Sequence, residues 1–181
     1  MDGVVLTMAD RILLLLGLSD AEEGGIAIEK TSDRRDVKVN SETKRREESA
    51  VERAFTYAES KSKTVIALQI LNSDLYHYGH TDLLLPGPGK KRFLNYVRDE
   101  LLKKGNEREK TLREWAQRRG ISLEVRTVES QDPASTAVEE AKKGYDMIFF
   151  PKEKKRRFPI LKKTVEEHLK KEISIPLVPC E

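Results

Sequence analysis

Cysteine and long apolar runs are both scarce in this sequence. The chain of 181 residues has one cysteine, Cys180, which excludes an intramolecular disulfide framework and a cysteine-rich zinc site. The longest apolar run near the start covers residues 12–18, whereas a membrane-spanning helix needs about 20 apolar residues. A secretory signal needs a basic start, and here the second residue is Asp2. We therefore expect a cytoplasmic protein with no membrane partner.

The sequence also has few amide side chains and no large excess of charge of one sign. Three Gln and four Asn stand among 34 Lys or Arg and 31 Asp or Glu, a usage typical of thermophiles, in which ion-pair networks replace thermolabile amides. The formal charge of +3 is too small to indicate nucleic-acid binding, so any such function depends on local clusters of charge. The 38% of hydrophobic residues suffice for one domain, which we place at residues 1–181.

Apolar runs alternate with helical patterns along the chain, which is typical of a parallel α/β sheet. The predicted strands cover residues 11–18, 64–71, 121–128, 145–150 and 175–178. The first of them is continuously apolar, as expected when helices cover both faces of a sheet. With right-handed crossovers, these strands predict a five-stranded Rossmann-like sheet in the order 3-2-1-4-5, with helices on both faces.

Four segments carry helical signals. Residues 48–60 and 90–119 place apolar side chains at helical spacing. Asp132 before Pro133 predicts a helix start, because the carboxylate accepts unpaired amides and proline sits where no amide bond is lost. Thr164 opens a capping-box sequence and predicts the start of the last helix.

Residues 24–40 have a different pattern. Apolar residues alternate with others on both sides of a turn-like stretch, and they are Ile26, Ile28, Val37 and Val39. Period-two alternation around a polar turn predicts a β-hairpin with one exposed face. Because charge is nearly balanced here, we interpret residues 22–46 as a solvated insertion after the first strand.

Several segments, in their order and spacing, resemble the universal stress protein family. They are RILLLLGLS at 11–19, QDPA at 131–134, GYDMIFF at 144–150, TVEEHL at 164–169 and ISIPLV at 173–178. The resemblance covers residues 11–20 and about 47–179. It implies a five-stranded parallel sheet with helices on both faces, in a protein that is usually dimeric.

The ATP signature of that family is degenerate in this chain. ATP-binding members carry G-x2-G-x9-G-(S/T) after the fourth strand, where the glycines let backbone amides approach phosphates. Here Pro151, Lys154 and Lys163 stand at or near the glycine positions, and Thr164 alone keeps the pattern as the hydroxyl residue. The family's acidic residue at the end of the first strand aligns with Gly17. The resemblance therefore implies no family-style ATP site, and we expect no cofactor.

The segment that replaces the signature is strongly basic. Residues 152–163 contain seven Lys or Arg and one Glu, so they carry +6 in a chain of +3 overall. The candidate anion-binding residues are Lys152, Lys154, Lys155, Arg156, Arg157, Lys163 and Thr164. They follow a central strand, at whose carboxyl end α/β sheets bind ligands, so side-chain charge would replace backbone amides. The alternative is a solvated basic loop that binds nothing.

Two further hypotheses belong to other functional classes. Asp74, His77 and His80 follow the second strand, and their donor types suit a metal or acid–base chemistry, although their spacing matches no zinc motif. With residues 74–82 as the reactive loop and the basic loop as a phosphate clamp, the chain would be a nucleotide- or phosphoester-processing enzyme. A polyanion such as RNA is the other alternative, yet Phe158 alone interrupts the basic run, which leaves little base stacking. Since no catalytic set stands out, we favour a regulatory or binding module that is not an enzyme.

The last strand is the predicted subunit contact. An apolar outer strand with an open edge invites pairing with another chain, and the family resemblance indicates the same strand. Pro176 and Pro179 limit the amides that this edge donates. We therefore predict a two-fold homodimer with Ile175, Leu177 and Val178 at the interface.

Overall fold

A computed structural model describes residues 10–17, 34–73, 87–152 and 164–181. It contains five strands: β1 (Arg11–Leu16), β2 (Thr64–Asn72), β3 (Leu123–Ser130), β4 (Ile148–Pro151) and β5 (Leu177–Cys180). They form one sheet in the order β3-β2-β1-β4-β5, and every neighbouring pair is parallel. The predicted five-stranded sheet and its order are confirmed.

Four helices lie in the described ranges: α1 (Arg34–Lys61), α2 (Gly87–Arg119), α3 (Pro133–Ala141) and α4 (Val165–Glu172). Buried side chains of α1 and α2, such as Phe55 and Leu112, belong to one hydrophobic cluster, and those of α3 and α4, such as Ala137 and Leu169, belong to another. Alternate residues of β1 contribute to each cluster, as Leu14 and Leu15 do, because successive side chains of a strand point to opposite faces. Helices therefore cover both faces of the sheet, as predicted.

β1 owes its continuous apolar sequence to its central position. Its residues Ile12–Leu16 are fully buried, with β2 on one side and β4 on the other. A strand with covered faces and two paired edges has no side chain that needs to be polar.

The prediction that residues 34–40 form the second strand of a hairpin is wrong. Residues 34–40 form the first turns of α1, which is 28 residues long, while residues 24–33 lie outside the described ranges. The amphipathic segment around Ala54 nucleates the helix, and adding residues to an existing helix is far easier than starting one. The alternation of Val37 and Val39 is too weak a strand signal to stop this extension. The part of the proposed 22–46 insertion that the structure describes is thus continuous with the helix predicted for residues 48–60.

The caps of α3 and α4 agree with the sequence. Asp132 Oδ1 accepts hydrogen bonds of 3.2 Å from the amides of Ala134 and Ser135. Together with the Ser135 hydroxyl, these bonds lower the pKa of Asp132. At α4, the capping box joins Thr164 and Glu167 in both directions, at 3.1 and 3.2 Å. Both helix starts were readable because a cap is a local signal.

None of the helices in the described ranges has both the length and the hydropathy for a membrane crossing.

Candidate functional site at the carboxyl end of the sheet

The helices that follow the central strands β1 and β4 lie on opposite faces of the sheet. β1 leads to α1 on one face, and β4 leads to α4 on the other. In open α/β sheets, ligands bind at such a switch point, outside the carboxyl ends of the strands. The residues that follow these two strands, Gly17 and Lys152, therefore mark the candidate site.

Gly17 occupies a position that no other residue type fits. Its φ is +77°, in the left-handed region that disfavours side chains, and a Cβ there would lie 2.7 Å from the carbonyl oxygen of Ile70. Its amide donates a hydrogen bond of 3.2 Å to Oε1 of Glu47 on α1. An acidic side chain at the end of β1 is therefore sterically excluded.

An ion pair from α1 and α2 fills the space beside Gly17. Arg108 Nη2 lies 3.2 Å from Oε2 of Glu47, and the two side chains are 20% and 13% exposed. Arg108 Nη1 would lie 3.5 Å from a Cβ on Gly17. Partial burial strengthens this pair beyond an ordinary surface ion pair. The carboxylate that meets the end of β1 thus comes from a helix and is already neutralised.

The carboxyl end of β4 gathers cations. The guanidinium of Arg46 donates a hydrogen bond of 3.2 Å to the carbonyl oxygen of Lys152, and Lys152 Nζ pairs with the side chain of Glu181. The Lys152 hydrogen bond and charge lower the pKa of Glu181. The charges of Arg46 and Arg53 act in the same direction. We call Arg46, Arg53, Lys152 and Glu181 the cationic end; it carries three positive charges and one negative charge.

The predicted anion-binding residues divide between the cationic end and undescribed sequence. Lys152 lies at the end of β4, as predicted. Thr164 is the N-cap of α4, where its hydroxyl oxygen accepts the amide of Glu167 and leaves the hydroxyl hydrogen to donate. The remaining candidates, Lys154, Lys155, Arg156, Arg157 and Lys163, lie outside the described residues.

The predicted metal set Asp74, His77 and His80 also lies outside the described residues. Within the ranges that are described, no group of three or more His, Cys, Asp or Glu side chains is arranged to hold a metal ion.

The predicted interface strand is the outermost strand of the sheet, as expected, but it is shifted along the chain. β5 covers Leu177–Cys180, so Ile175 precedes it. Ile175 and Leu177 pack partly buried against the α3 and α4 cluster, whereas Val178 packs against the α1 and α2 cluster. The three side chains therefore do not share a face.

Three residues of the site, Glu47, Arg108 and Arg46, were not predictable from the sequence. Each lies in a charged stretch of a long helix, and Glu47 is 30 residues from Gly17. No spacing rule links partners on separate helices, and the wrong hairpin prediction had also placed Arg46 outside α1. The available signal was the glycine at the end of β1, because a residue without a side chain leaves space that side chains of other elements can fill.

No protein-family model and no curated protein sequence matches the chain. Solved structures do match. Hypothetical protein MJ0577 has a TM-score of 0.59 at 16% identity, over 96% of each chain. The universal stress protein of Archaeoglobus fulgidus in complex with dAMP has a TM-score of 0.53 at 14% identity, over 97% of this chain and all of its own.

UspA from Lactobacillus plantarum is also similar, with a TM-score of 0.54 at 12% identity, over 94% of this chain and 97% of its own. The sheet order and these alignments over nearly the whole chain define an α/β protein of the Rossmann-like class. Within that class, the chain has the fold of the universal stress proteins.

Proposed function

We propose that the chain is a divergent universal stress protein that acts as a cytoplasmic regulatory or binding module and does not bind ATP as glycine-signature members do. The observation that carries this proposal is Gly17. Its φ of +77° and the 2.7 Å approach of the Ile70 carbonyl to a Cβ leave no room for the acidic residue of the family. The Glu47–Arg108 pair lies in its place.

The phosphate half of the site supports the same proposal. Pro151 ends β4 and has no amide hydrogen. The next amide, that of Lys152, donates a hydrogen bond of 2.8 Å to the carbonyl oxygen of Cys180. Neither of the first two residues of the degenerate signature therefore offers a backbone donor to a phosphate, which is what such a loop requires.

The cationic end provides another way to hold an anion. Arg46 and Lys152 are already in contact there, and the sequence continues with Lys154, Lys155, Arg156 and Arg157. Arginine and lysine hold phosphate or carboxylate groups by charge-assisted hydrogen bonds, without any glycine cradle. The Archaeoglobus fulgidus protein of this fold was solved with dAMP, which itself carries a phosphate. We therefore propose a small phosphorylated or carboxylated anion as the ligand of this module.

We also propose a homodimer through the outer edge of β5. The carbonyls of Pro176 and Cys180 accept hydrogen bonds from the amides of Ile148 and Lys152. Because backbone groups alternate in direction along a strand, those of Leu177 point away from β4, toward the open edge. That edge supports pairing with a second copy through backbone bonds more than through the side chains of Ile175, Leu177 and Val178.

Two measurements on natively purified protein test the ligand proposal. We expect mass spectrometry of the released small molecules to find an anion that is not ATP, and calorimetric titration with ATP and magnesium to give a dissociation constant far weaker than micromolar. A micromolar constant, about −8 kcal/mol, or stoichiometric co-purified ATP would overturn the proposal.

A further inference from the structure

A groove of about 410 Å³ runs along α1 above β4. Its lining residues come from one side of α1 and from β4 with the residue before it: Glu52, Arg53, Thr56, Tyr57, Ser60, Met147 and Phe149. The volume lies in the range of about 300–1,000 Å³ that small-molecule sites occupy. The lining does not include Lys152 or Thr164, the described members of the predicted anion-binding set.

The groove has an aromatic floor. The rings of Tyr57 and Phe149 have their centroids 5.8 Å apart and are tilted by 50°, and Met147 lies beside them in the lining. Phe149 is 3% exposed, so its ring supports that of Tyr57 from below. The half-buried Tyr57 ring and the adaptable thioether of Met147 are the apolar surface that a ligand can contact. The floor therefore suits a flat apolar or aromatic body.

The two charged residues of the wall are not equivalent. Both carboxylate oxygens of Glu52 accept hydrogen bonds from Arg119 Nη1, at 2.9 and 3.0 Å. Arg53, in contrast, makes no ion pair with any residue of the described ranges; its guanidinium lies near the Cys180 thiol and within electrostatic reach of Glu181. Arg119 also pairs with Glu59, through Nη2 at 2.6 Å, so its one charge is shared by two carboxylates. The wall thus presents an exposed arginine, with five donors, next to a carboxylate that is held by an ion pair.

We propose that this groove binds an organic anion with an aromatic body, the ring on Tyr57 and Met147 and the carboxylate on Arg53. Arg53 favours an anion over a neutral ring, because it is the cation of the lining and forms no ion pair within the described ranges, whereas Glu52 is held by Arg119. The aromatic floor selects a ring over a compact inorganic anion, which would leave the floor exposed to water. The groove shares Arg53 with the cationic end but uses no residue of 152–163, so separate ligands and a steric variant are needed to test the two sites.

The test uses 2-naphthoate as the probe and its neutral analogue 2-naphthamide as the control ligand. We expect calorimetry on the full chain to show saturable binding of 2-naphthoate. Arg53→Gln should weaken it about five- to tenfold, because the charge-assisted bonds are lost. Arg45→Gln removes an exposed arginine of the same helix that does not line the groove, and it should leave the affinity unchanged. 2-Naphthamide should bind more weakly and respond to neither variant.

A steric variant provides a second, independent readout. Ser60 is an exposed wall residue, so Ser60→Trp should fill the groove and abolish binding while the circular dichroism melt stays that of the wild type. Equal effects of Arg53→Gln and Arg45→Gln, equal affinities for the acid and the amide, or no saturable binding would each overturn the proposal. Pyrophosphate titrated into the wild type and into Ser60→Trp tests the cationic end, which that substitution leaves in place, so a failure there is seen separately.

Discussion

The hydroxyl of Tyr145 donates a hydrogen bond of 2.6 Å to Oε1 of Glu140, a buried carboxylate on α3. Arg126 Nη1 from β3 lies 2.7 Å from the same oxygen, and Lys143 Nζ lies 2.6 Å from Oε2. Tyr145 also lies under Arg11, whose guanidinium carbon is 5.5 Å from the ring centroid. One carboxylate therefore ties together a strand, a helix and the segment that leads into β4.

This carboxylate should make stability depend on acid pH. Burial acts to raise the pKa of Glu140, but the hydrogen bonds from Lys143 and Tyr145 and the charges of Lys143 and Arg126 outweigh it, so the pKa lies below its ordinary 4.5. A lowered pKa stabilises the fold above about pH 4.5 and loses that contribution as pH falls through the folded-state value. Glu140→Gln should cost about 1–3 kcal/mol at pH 7, and the difference should narrow in acid.

Urea unfolding at a series of pH values measures this difference. Glu139→Gln is the matched control, since residue 139 is the exposed neighbour on α3, and it should be nearly silent. If Glu140→Gln lowered the free energy of unfolding as much at pH 3 as at pH 7, the lowered pKa of Glu140 would be contradicted.

Substituting alanine for two glycines with similar backbone angles should lower the free energy of unfolding by very different amounts. Gly17 has φ +77° and Gly120 has φ +65°; a Cβ on Gly17 would meet the Ile70 carbonyl at 2.7 Å, whereas nothing lies within 4 Å of one on Gly120. Gly120→Ala should cost only the left-handed strain, about 1–2 kcal/mol. Gly17→Ala adds a backbone clash and should cost roughly 3 kcal/mol or more. Thermal and urea unfolding would measure both free energies of unfolding. Equal decreases for the two variants would contradict the close approach of Gly17 to the Ile70 carbonyl.

The basic segment should account for anion binding without contributing to the fold. Changing Lys154, Lys155, Arg156 and Arg157 together to Gln should abolish pyrophosphate binding and shift the free energy of unfolding by less than about 0.5 kcal/mol. The matched control removes the same number of charges at exposed lysines elsewhere: Lys103, Lys104, Lys110 and Lys171. Calorimetry on both variants separates a local effect from one of net charge. If the quadruple variant bound pyrophosphate as the wild type does, the basic segment would be a solvated loop that binds no anion.

The outer strand should make the protein dimeric. We expect light scattering at concentrations on the order of tens of micromolar to give twice the chain mass. Leu177→Glu or Val178→Glu should give monomer or aggregate, since each side chain also packs partly buried against its own core. Ser174→Glu, at an exposed position before β5, should remain dimeric. A monomer mass for the wild type is the outcome that rejects this prediction.

The sheet was predictable from sequence because its signals are local and strong. The uninterrupted apolar run of β1 requires a position with both faces covered, and the caps at Asp132 and Thr164 each mark a helix start within four residues. The start of α1 was missed, since residues 34–46 carry no apolar stripe and continue a helix that is nucleated further along the chain, and Asp33 directly before it was interpreted as part of a turn.

The candidate site was predictable in part. Lys152 and Gly17 stand out because they follow strands, so the topology alone brings them to the same end of the sheet. Glu47 and Arg108 do not, because their contact depends on how two helices pack side by side, and sequence spacing carries no record of that. The groove beside Tyr57 was missed for the same reason: its floor and its wall come from elements far apart in the chain.

The position of Cys180 gives the protein an internal reporter. The only thiol of the chain is fully buried at the end of β5, and burial raises its pKa, so a thiol reagent reaches a reactive thiolate only when that strand separates from β4. The labelling rate of unmodified protein therefore measures how often the edge of the sheet opens. If a second copy covers that edge, labelling should slow as protein concentration rises.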